Sequence, residues 1–270
     1  MKGQDDWGYL MSDLEAHGRE WLAVAEQAAK AAESVAMGFF NTQLQVETKA
    51  DDSPVTEADR ATERVIREVI ERAFPTHAIV GEEYGGSSSG EMVWLIDPID
   101  GTRSFIRGLP FWSIQIALLE NGRLVAGVSS APAFGERASA LRGHGATLNG
   151  EALRIREVET LEAADVSFGN IRTLAGSSAW PWVGEVIRRA ARTRGYGDFY
   201  SYHRLAQAQQ DVVIESDVNI LDVAALAVIV EEAGGRISDL EGQPVGLETR
   251  SILAACPTLH EQLLQELVSC

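Results

Sequence analysis

Asp97 and Asp100 lie within WLIDPIDGTRSF, residues 94–105, directly behind the apolar run Trp94-Leu95-Ile96. Pro98 and Ile99 separate them, and Gly101-Thr102 follow. An ordinary turn has no need of two acids around a proline at the end of a buried strand. More acids stand at the ends of other expected elements: Glu82 and Glu83 behind Ala78-Ile79-Val80, Asp222 ahead of an apolar helix, and Asp59 one turn into another helix. Loops at element ends are where a rigid scaffold lets side chains converge. Carboxylates gathered this way suit hard divalent cations, and Mg2+ typically keeps waters plus one or two carboxylates per ion. Without a cation the same acids repel one another and their pKa values rise.

The spacing inside DPIDGT carries further chemistry. Pro98 fixes the backbone behind Asp97 and removes a donor. The turn can bring Asp97 and Asp100 to one side and leave the Ile99 carbonyl free as another oxygen ligand. Gly101 permits close backbone approach. If a short helix starts at Thr102, the amides of Gly101 and Thr102 form an anion cradle beside the carboxylates. Taken singly, each acid reads more blandly: Asp222 as an N-cap, Glu82 and Glu83 as surface residues. His17, His77, His144, His203 and His260 are scattered without metal-ligand spacing and are assigned no chemistry.

The elements that must position these residues follow from periodicity. Residues 13 to about 40 repeat apolar side chains at three- and four-residue steps, which predicts a long helix. After a polar break at 48–54, Thr56 reads as the N-cap of a helix over EADRATERVIREVIERAF, with Ala61, Val65, Ile66, Val69, Ile70 and Ala73 as its buried stripe. Strands are expected at 78–80 and 92–96, with GGSSSG (85–90) as a linker between them. Asn121-Gly122 signals a hairpin between SIQIALL and RLVAGVSS, with further strands near 137–141 and a turn at Asn149-Gly150. In the second half, strands are expected at 165–168, 212–215, 236–238 and 251–255. Helices are expected at 183–191, 202–210, 222–233 and from 258. GNIRTLAGSSAWPW reads as a loop. The mixture of helices, strands and hairpins predicts layered α/β (α+β) with mixed and antiparallel sheets. A boundary near 150–160 divides an N-terminal half, 1–155, from a C-terminal half, 156–270.

The 270 residues suffice for a large core. Lys and Arg number 23 against 40 Asp and Glu, a formal charge of −17. That surface repels nucleic acid and anionic membranes in the absence of a basic stripe, so a phosphate-bearing partner calls for metal ions. Two cysteines, Cys256 and Cys270, form no disulfide framework and suit a reducing compartment. No signal peptide and no 18-residue apolar run is evident, so a cytoplasmic protein is expected.

GEEYG, WLIDPIDGTRSF and ILDVAALAVIVEEAGG, in this order, resemble the inositol monophosphatase superfamily, and the resemblance spans nearly the whole chain. It implies an α-β-α-β-α sandwich, a homodimer, and a lithium-sensitive phosphomonoesterase using two or three Mg2+ ions. It implies metal ligation by Glu82, Asp97, the Ile99 carbonyl, Asp100 and Asp222. Thr102 with Asp59 would orient and deprotonate an attacking water, assisted by Glu82. The amides of Gly101 and Thr102 would bind phosphate. Lys49 matches a lysine that often precedes PVTEAD. Within the superfamily the motif region and GYGDFYSYHRLA (195–206) are most similar to histidinol-phosphate phosphatases of bacteria and plants. Asp198, Glu215 and Arg103 are the substrate contacts that follow. One departure is Leu221 ahead of Asp222, where the family usually has Trp.

Other chemistries compete. The same fold could act on inositol phosphates, sugar phosphates or a nucleotide 3′-phosphate. An aspartyl-phosphate phosphatase uses Asp-x-Asp near the N-terminus, whereas here the spacing is Asp-x-x-Asp behind two helices. A non-catalytic sensor on this fold would not need the Thr102–Asp59 pair, and a two-metal nuclease would need a basic groove.

Overall fold

The computed structural model describes residues 5–42, 45–48 and 54–268. Lys49 and Cys270, singled out in the sequence, lie outside them. The first helix, Asp5–Phe39, buries Trp21, Ala25, Ala28, Ala29, Ala32 and Ala36. That stripe of small side chains lets it lie close against the second helix, Glu57–Ala73, and against a sheet face. Thr56 caps the second helix as the sequence predicts, its hydroxyl accepting from the Ala58 amide at 3.1 Å. The buried stripe of this helix differs from expectation. Ile66 and Ile70 are in the core, but Ala73 is exposed, and Asp59, Thr62 and Glu63 are buried. Asp59 is inside through its bonds to Thr56 at the cap, and Glu63 is inside because the hairpin at 78–86 folds over it.

Among the described residues an eight-stranded sheet runs in the order 151–152, 146–148, 136–141, 123–131, 113–120, 92–100, 78–81, 85–86. All pairs are antiparallel except Ala78–Gly81 beside Met92–Asp100. A five-stranded sheet runs 192–194, 165–168, 212–216, 251–255, 236–238, parallel in its first two pairs and antiparallel in its last two. Period-2 alternation splits the central strands between two cores. Trp94, Ile96, Ile114, Ile116 and Leu118 face the first two helices, whereas Val93, Leu95, Ala117 and Leu119 face the other way. The apolar helix Ile220–Glu232 fills that other side and is buried all round between the sheets, as its uniformly apolar sequence requires. Helix Asp198–Ala206 packs beside it, and helices Trp180–Arg189 and Pro257–Val268 cover the outer face of the small sheet. The order is α-β-α-β-α.

Three expectations need correction. Residues 171–182 are not a loop: helix Ile171–Gly176 and the first turn of helix Trp180–Arg189 lie there. Pro181 is in that first turn, where its missing N–H costs nothing. The helix expected at 202–210 begins earlier, at Asp198, and ends at Ala206. Gly85-Gly86 is not linker but the return strand of a hairpin with Val80-Gly81. No helix among the described residues is long and apolar enough to cross a membrane.

Candidate metal centre

The strand expected to stop at Ile96 continues to Asp100. In a regular strand, Asp97 and Asp100 would face opposite sides, because their separation is odd. The pairing is irregular at this point. Asp97 lies opposite Gln115 and Asp100 opposite Ser113, so two residues on one strand, Pro98 and Ile99, match the single Ile114 on the other. This bulge turns both carboxylates to one side. Pro98 is tolerated there because the ladder is already broken. Ile99 anchors the bulge with a fully buried side chain.

The helix Ile220–Glu232 brings in the third carboxylate. Asn219 is its N-cap, and Asp222 occupies the third helical position rather than the cap. Asp222 accepts from the Asn219 backbone amide at 3.0 Å and from the Asn219 side-chain amide at 2.7 Å. Asp97, Asp100 and Asp222 each direct a carboxylate oxygen to a common point, these atoms lying within 4.8 Å of one another. Glu82, in the turn after strand Ala78–Gly81, borders the group, and its charge acts on both Asp97 and Asp222.

The local bonds hold this arrangement. The Ile99 amide donates to Asp97 Oδ1 at 3.0 Å. Ser113 donates to Asp100 Oδ2 at 3.2 Å and in turn accepts from Gln115 at 2.8 Å. Thr102 Oγ1 lies 3.1 Å from the Ile99 carbonyl oxygen and 3.4 Å from Asp59 Oδ1. The carbonyl has two lone pairs, so one remains for another partner. Asp59 Oδ2 accepts from the Thr56 amide and hydroxyl at 2.8 and 2.7 Å. Helix Thr102–Ile106 starts where the sequence anticipates, with Gly101 at φ 86°. A Cβ on Gly101 would come 2.7 Å from the Phe111 carbonyl oxygen, so glycine is needed for space as well as conformation.

The electrostatics are those of an uncompensated acidic cluster. Burial pushes Asp97 and Asp100 well above the usual carboxylate range. The charges of Glu82, Asp100 and Asp222 add to this at Asp97, and those of Asp198, Asp222 and Glu215 at Asp100. Asp222 rises to about 6, chiefly through burial. Burial also raises Asp59, against the pull of its Thr56 bonds. Oxygen donors alone, three of them converging and hard to ionise together, fit hard divalent cations that would relieve the repulsion. The acidic residues are thus a chemically sound metal set.

A second group of acids adjoins the first. Asp198, Glu215 and Tyr202 border a cavity of about 30 Å³ together with Asp100, Asn170 and Asp222. Burial lifts Asp198 to about 6 and Glu215 to about 7. Glu215 is held from both ends: Tyr202 donates to Oε2 at 2.9 Å and the Asp198 amide to Oε1 at 3.3 Å. Arg103 is exposed on the short helix after Thr102, and Leu221 packs half-buried on the core. Sequence reasoning did not find Ser113, Gln115, Asn219 or Tyr202. Asn219 had a signal, because Asn-x-x-Asp ahead of an apolar run is a capping pattern.

Comparison with known proteins places the sequence and the fold. The sequence model of the Inositol monophosphatase family matches residues 17–270. A histidinol-phosphatase of Streptomyces coelicolor is 38% identical over 259 residues, covering 90% of this chain and 95% of that protein. A histidinol-phosphatase of Mycobacterium tuberculosis is 38% identical over 253 residues, covering 91% and 95%. The structure of an inositol monophosphatase from Anabaena (Nostoc) sp. superposes with a TM-score of 0.81 at 28% identity, covering 93% of this chain and 96% of that one.

Proposed function

This chain belongs to the inositol monophosphatase family, and from that premise we propose that it is a Mg2+-dependent phosphomonoesterase hydrolysing L-histidinol phosphate to L-histidinol and phosphate. The observation that carries the reading is the convergence of Asp97, Asp100 and Asp222, with a second pair of acids, Asp198 and Glu215, on their organic side. Histidinol carries an ammonium and an imidazole, and acids at that position would bind both.

In this proposal Glu82, Asp97, the Ile99 carbonyl, Asp100 and Asp222 would hold two or three Mg2+ ions. When bound, the ions supply positive charge against the phosphate oxygens and acidify water. The chain's own groups do the rest. Asp59 and Thr102 orient a water on the side of the phosphorus away from the leaving alcohol and take up its proton, with Glu82 assisting. The Gly101 and Thr102 amides hold phosphate oxygens. Asp198 and Glu215, with Arg103, fix the alcohol portion, so that the P–O bond breaks in line with the incoming oxygen. The leaving alkoxide takes a proton from a solvent water, Asp59 gives the proton it received back to solvent, and histidinol and phosphate are released. The family resemblance and the cysteine usage further support a cytoplasmic homodimer.

Phosphate release with Mg2+ should be measured side by side on histidinol phosphate, inositol 1-phosphate and a nucleotide 3′-phosphate. Histidinol phosphate is expected to have the highest kcat/KM. Negligible turnover of it beside fast turnover of inositol phosphate would replace the substrate assignment and keep the reaction class.

A further inference from the structure

Glu63 is a fully buried carboxylate outside the metal centre, and no step above uses it. It lies on helix Glu57–Ala73 four residues after Asp59, so both project from one helix face. Its backbone contacts are to the turn that carries Glu82. Glu63 Oε2 accepts from the Glu83 amide at 2.7 Å, and Oε1 accepts from the Tyr84 amide at 3.3 Å. Arg67, one turn further along, donates to Glu63 Oε1 at 2.7 Å and to the Gly85 carbonyl at 2.5 Å. The carboxylate therefore grips the amide side of the turn while its guanidinium partner grips the far end.

The strand end is shaped for this contact. A Cβ on Gly81 would come within 1.9 Å of Glu63 Oε1, so the close approach of carboxylate to backbone exists only because residue 81 is glycine. Gly85 and Gly86, at φ 61° and 140°, turn the chain back to pair with Val80 and Gly81. The Glu82 amide is pinned in the same region, donating to the Ile96 carbonyl at 3.1 Å. Residues 81–85 are thus clamped between the strand that bears Asp97 and the helix that bears Asp59. Glu82 is the acid left to face Asp97.

We infer that Glu63, backed by Arg67, is a positioning residue that fixes Glu82 against Asp97 and so sets the affinity of the metal centre. The inference rests on the proposed role of Glu82 as a ligand. A residue that orients a ligand typically changes metal affinity by roughly ten- to a hundredfold when removed. Glu63→Gln keeps size and shape but gives up the charge that binds two amides and a guanidinium.

The test is a Mn2+ titration of the full chain followed by electron paramagnetic resonance, with Glu63→Gln, Glu82→Gln and wild type in parallel. Wild type binds most tightly, and both variants are expected to weaken Mn2+ binding by roughly ten- to a hundredfold. Activity of Glu63→Gln should be largely recovered at saturating Mg2+, so its apparent Mg2+ requirement rises while kcat stays within about threefold of wild type. If Glu82→Gln weakens Mn2+ and Glu63→Gln does not, the positioning role is overturned and the ligand role of Glu82 stands. If Glu82→Gln itself leaves Mn2+ affinity unchanged, the ligand role fails, and the positioning role with it. Should Glu63→Gln not fold, Arg67→Met removes the guanidinium half of the clamp. It is expected to weaken Mn2+ binding in the same direction, and unchanged affinity there overturns the inference.

Discussion

Thr102 Oγ1 stands 3.4 Å from Asp59 Oδ1, a pair separated by 43 positions in the chain and joined by two different elements. The second helix delivers Asp59 and the short helix behind the bulge delivers Thr102. The other Asp59 oxygen is committed to Thr56, so the oxygen facing Thr102 is the one available for a proton. Thr102→Ala is expected to lower kcat by about 10²-fold or more, the scale of positioned acid–base groups, with a much smaller rise in KM. Thr102→Ser should retain most of the rate. Steady-state kinetics at saturating Mg2+ checks this, and equal losses in kcat for both variants would remove the hydroxyl from the mechanism.

Asp100 is buried among like charges, so neutralising it should separate stability from activity. Asp100→Asn keeps an oxygen to accept from Ser113 while removing one charge facing Asp198, Asp222 and Glu215. Turnover is expected to fall about 10²–10³-fold or more, the loss seen when one preorganised electrostatic partner is removed. The metal-free protein should melt higher than metal-free wild type by a few degrees, on the order of 2–4 °C per kcal/mol regained for a chain of this size. Differential scanning fluorimetry in chelator reads the second effect. A lower melting temperature would mean that the charge is not costing stability.

Much of this site was legible in the sequence because its residues sit at abrupt transitions. DPIDGT interrupts a strand, Thr56 and Asp59 open a periodic helix, and Asp222 stands at the head of an apolar one. The fold class followed from the same periodicities. What stayed hidden depends on pairing across the sheet. That Asp97 and Asp100 share a face is decided by the register against Ser113 and Gln115, which no spacing rule within residues 94–105 contains. Glu63 lies outside the apolar stripe that periodicity gives this helix, and it is buried by the hairpin at 81–86 that folds over it. The segment 171–182 reads as loop because Gly, Ser and Pro cluster there. Trp182 nevertheless lies in the core and draws the segment into helix. Local composition is overridden wherever a distant surface supplies the burial.

The protonation of the acids fixes how stability varies with pH. Asp222 and Asp198 rise from 3.8 to about 6, and Glu215 rises from 4.5 to about 7. Between roughly pH 4.5 and 7 the metal-free folded chain therefore holds more protons on these groups than the unfolded chain does. Its stability falls as pH rises through that window, and the penalty is complete above about pH 7. For Glu215 alone this is of the order of 3 kcal/mol. His260, lowered to about 4 by burial, and buried His203, also lowered, work in the opposite sense, losing stability as pH falls below about 6.5. His77 is lowered by burial as well, but Asp59, Asp97 and Asp100 are also raised, so the acids outnumber the histidines. Metal-free protein should thus melt higher at about pH 5.5 than at about pH 8, and Mg2+ should raise the melting temperature more at the higher pH. A Mg2+ effect independent of pH would mean that the cation does not bind these acids.

Asp198 separates the substrate readings. It lies at φ 48° behind Gly197, its amide bonded to Glu215, and burial raises its carboxyl to about 6. An ammonium or imidazolium brought against it would restore the charged form, and such charge-assisted bonds contribute about 1.5–3 kcal/mol. A neutral sugar or inositol hydroxyl gains less from the charge and can bond to an amide nearly as well. Asp198→Asn should therefore raise KM for histidinol phosphate by at least about tenfold, with kcat within a few-fold of wild type. KM for inositol 1-phosphate should rise by no more than about threefold. Both constants are obtained from initial phosphate-release rates at saturating Mg2+. Equal rises for both substrates would leave no electrostatic basis for preferring a cationic alcohol.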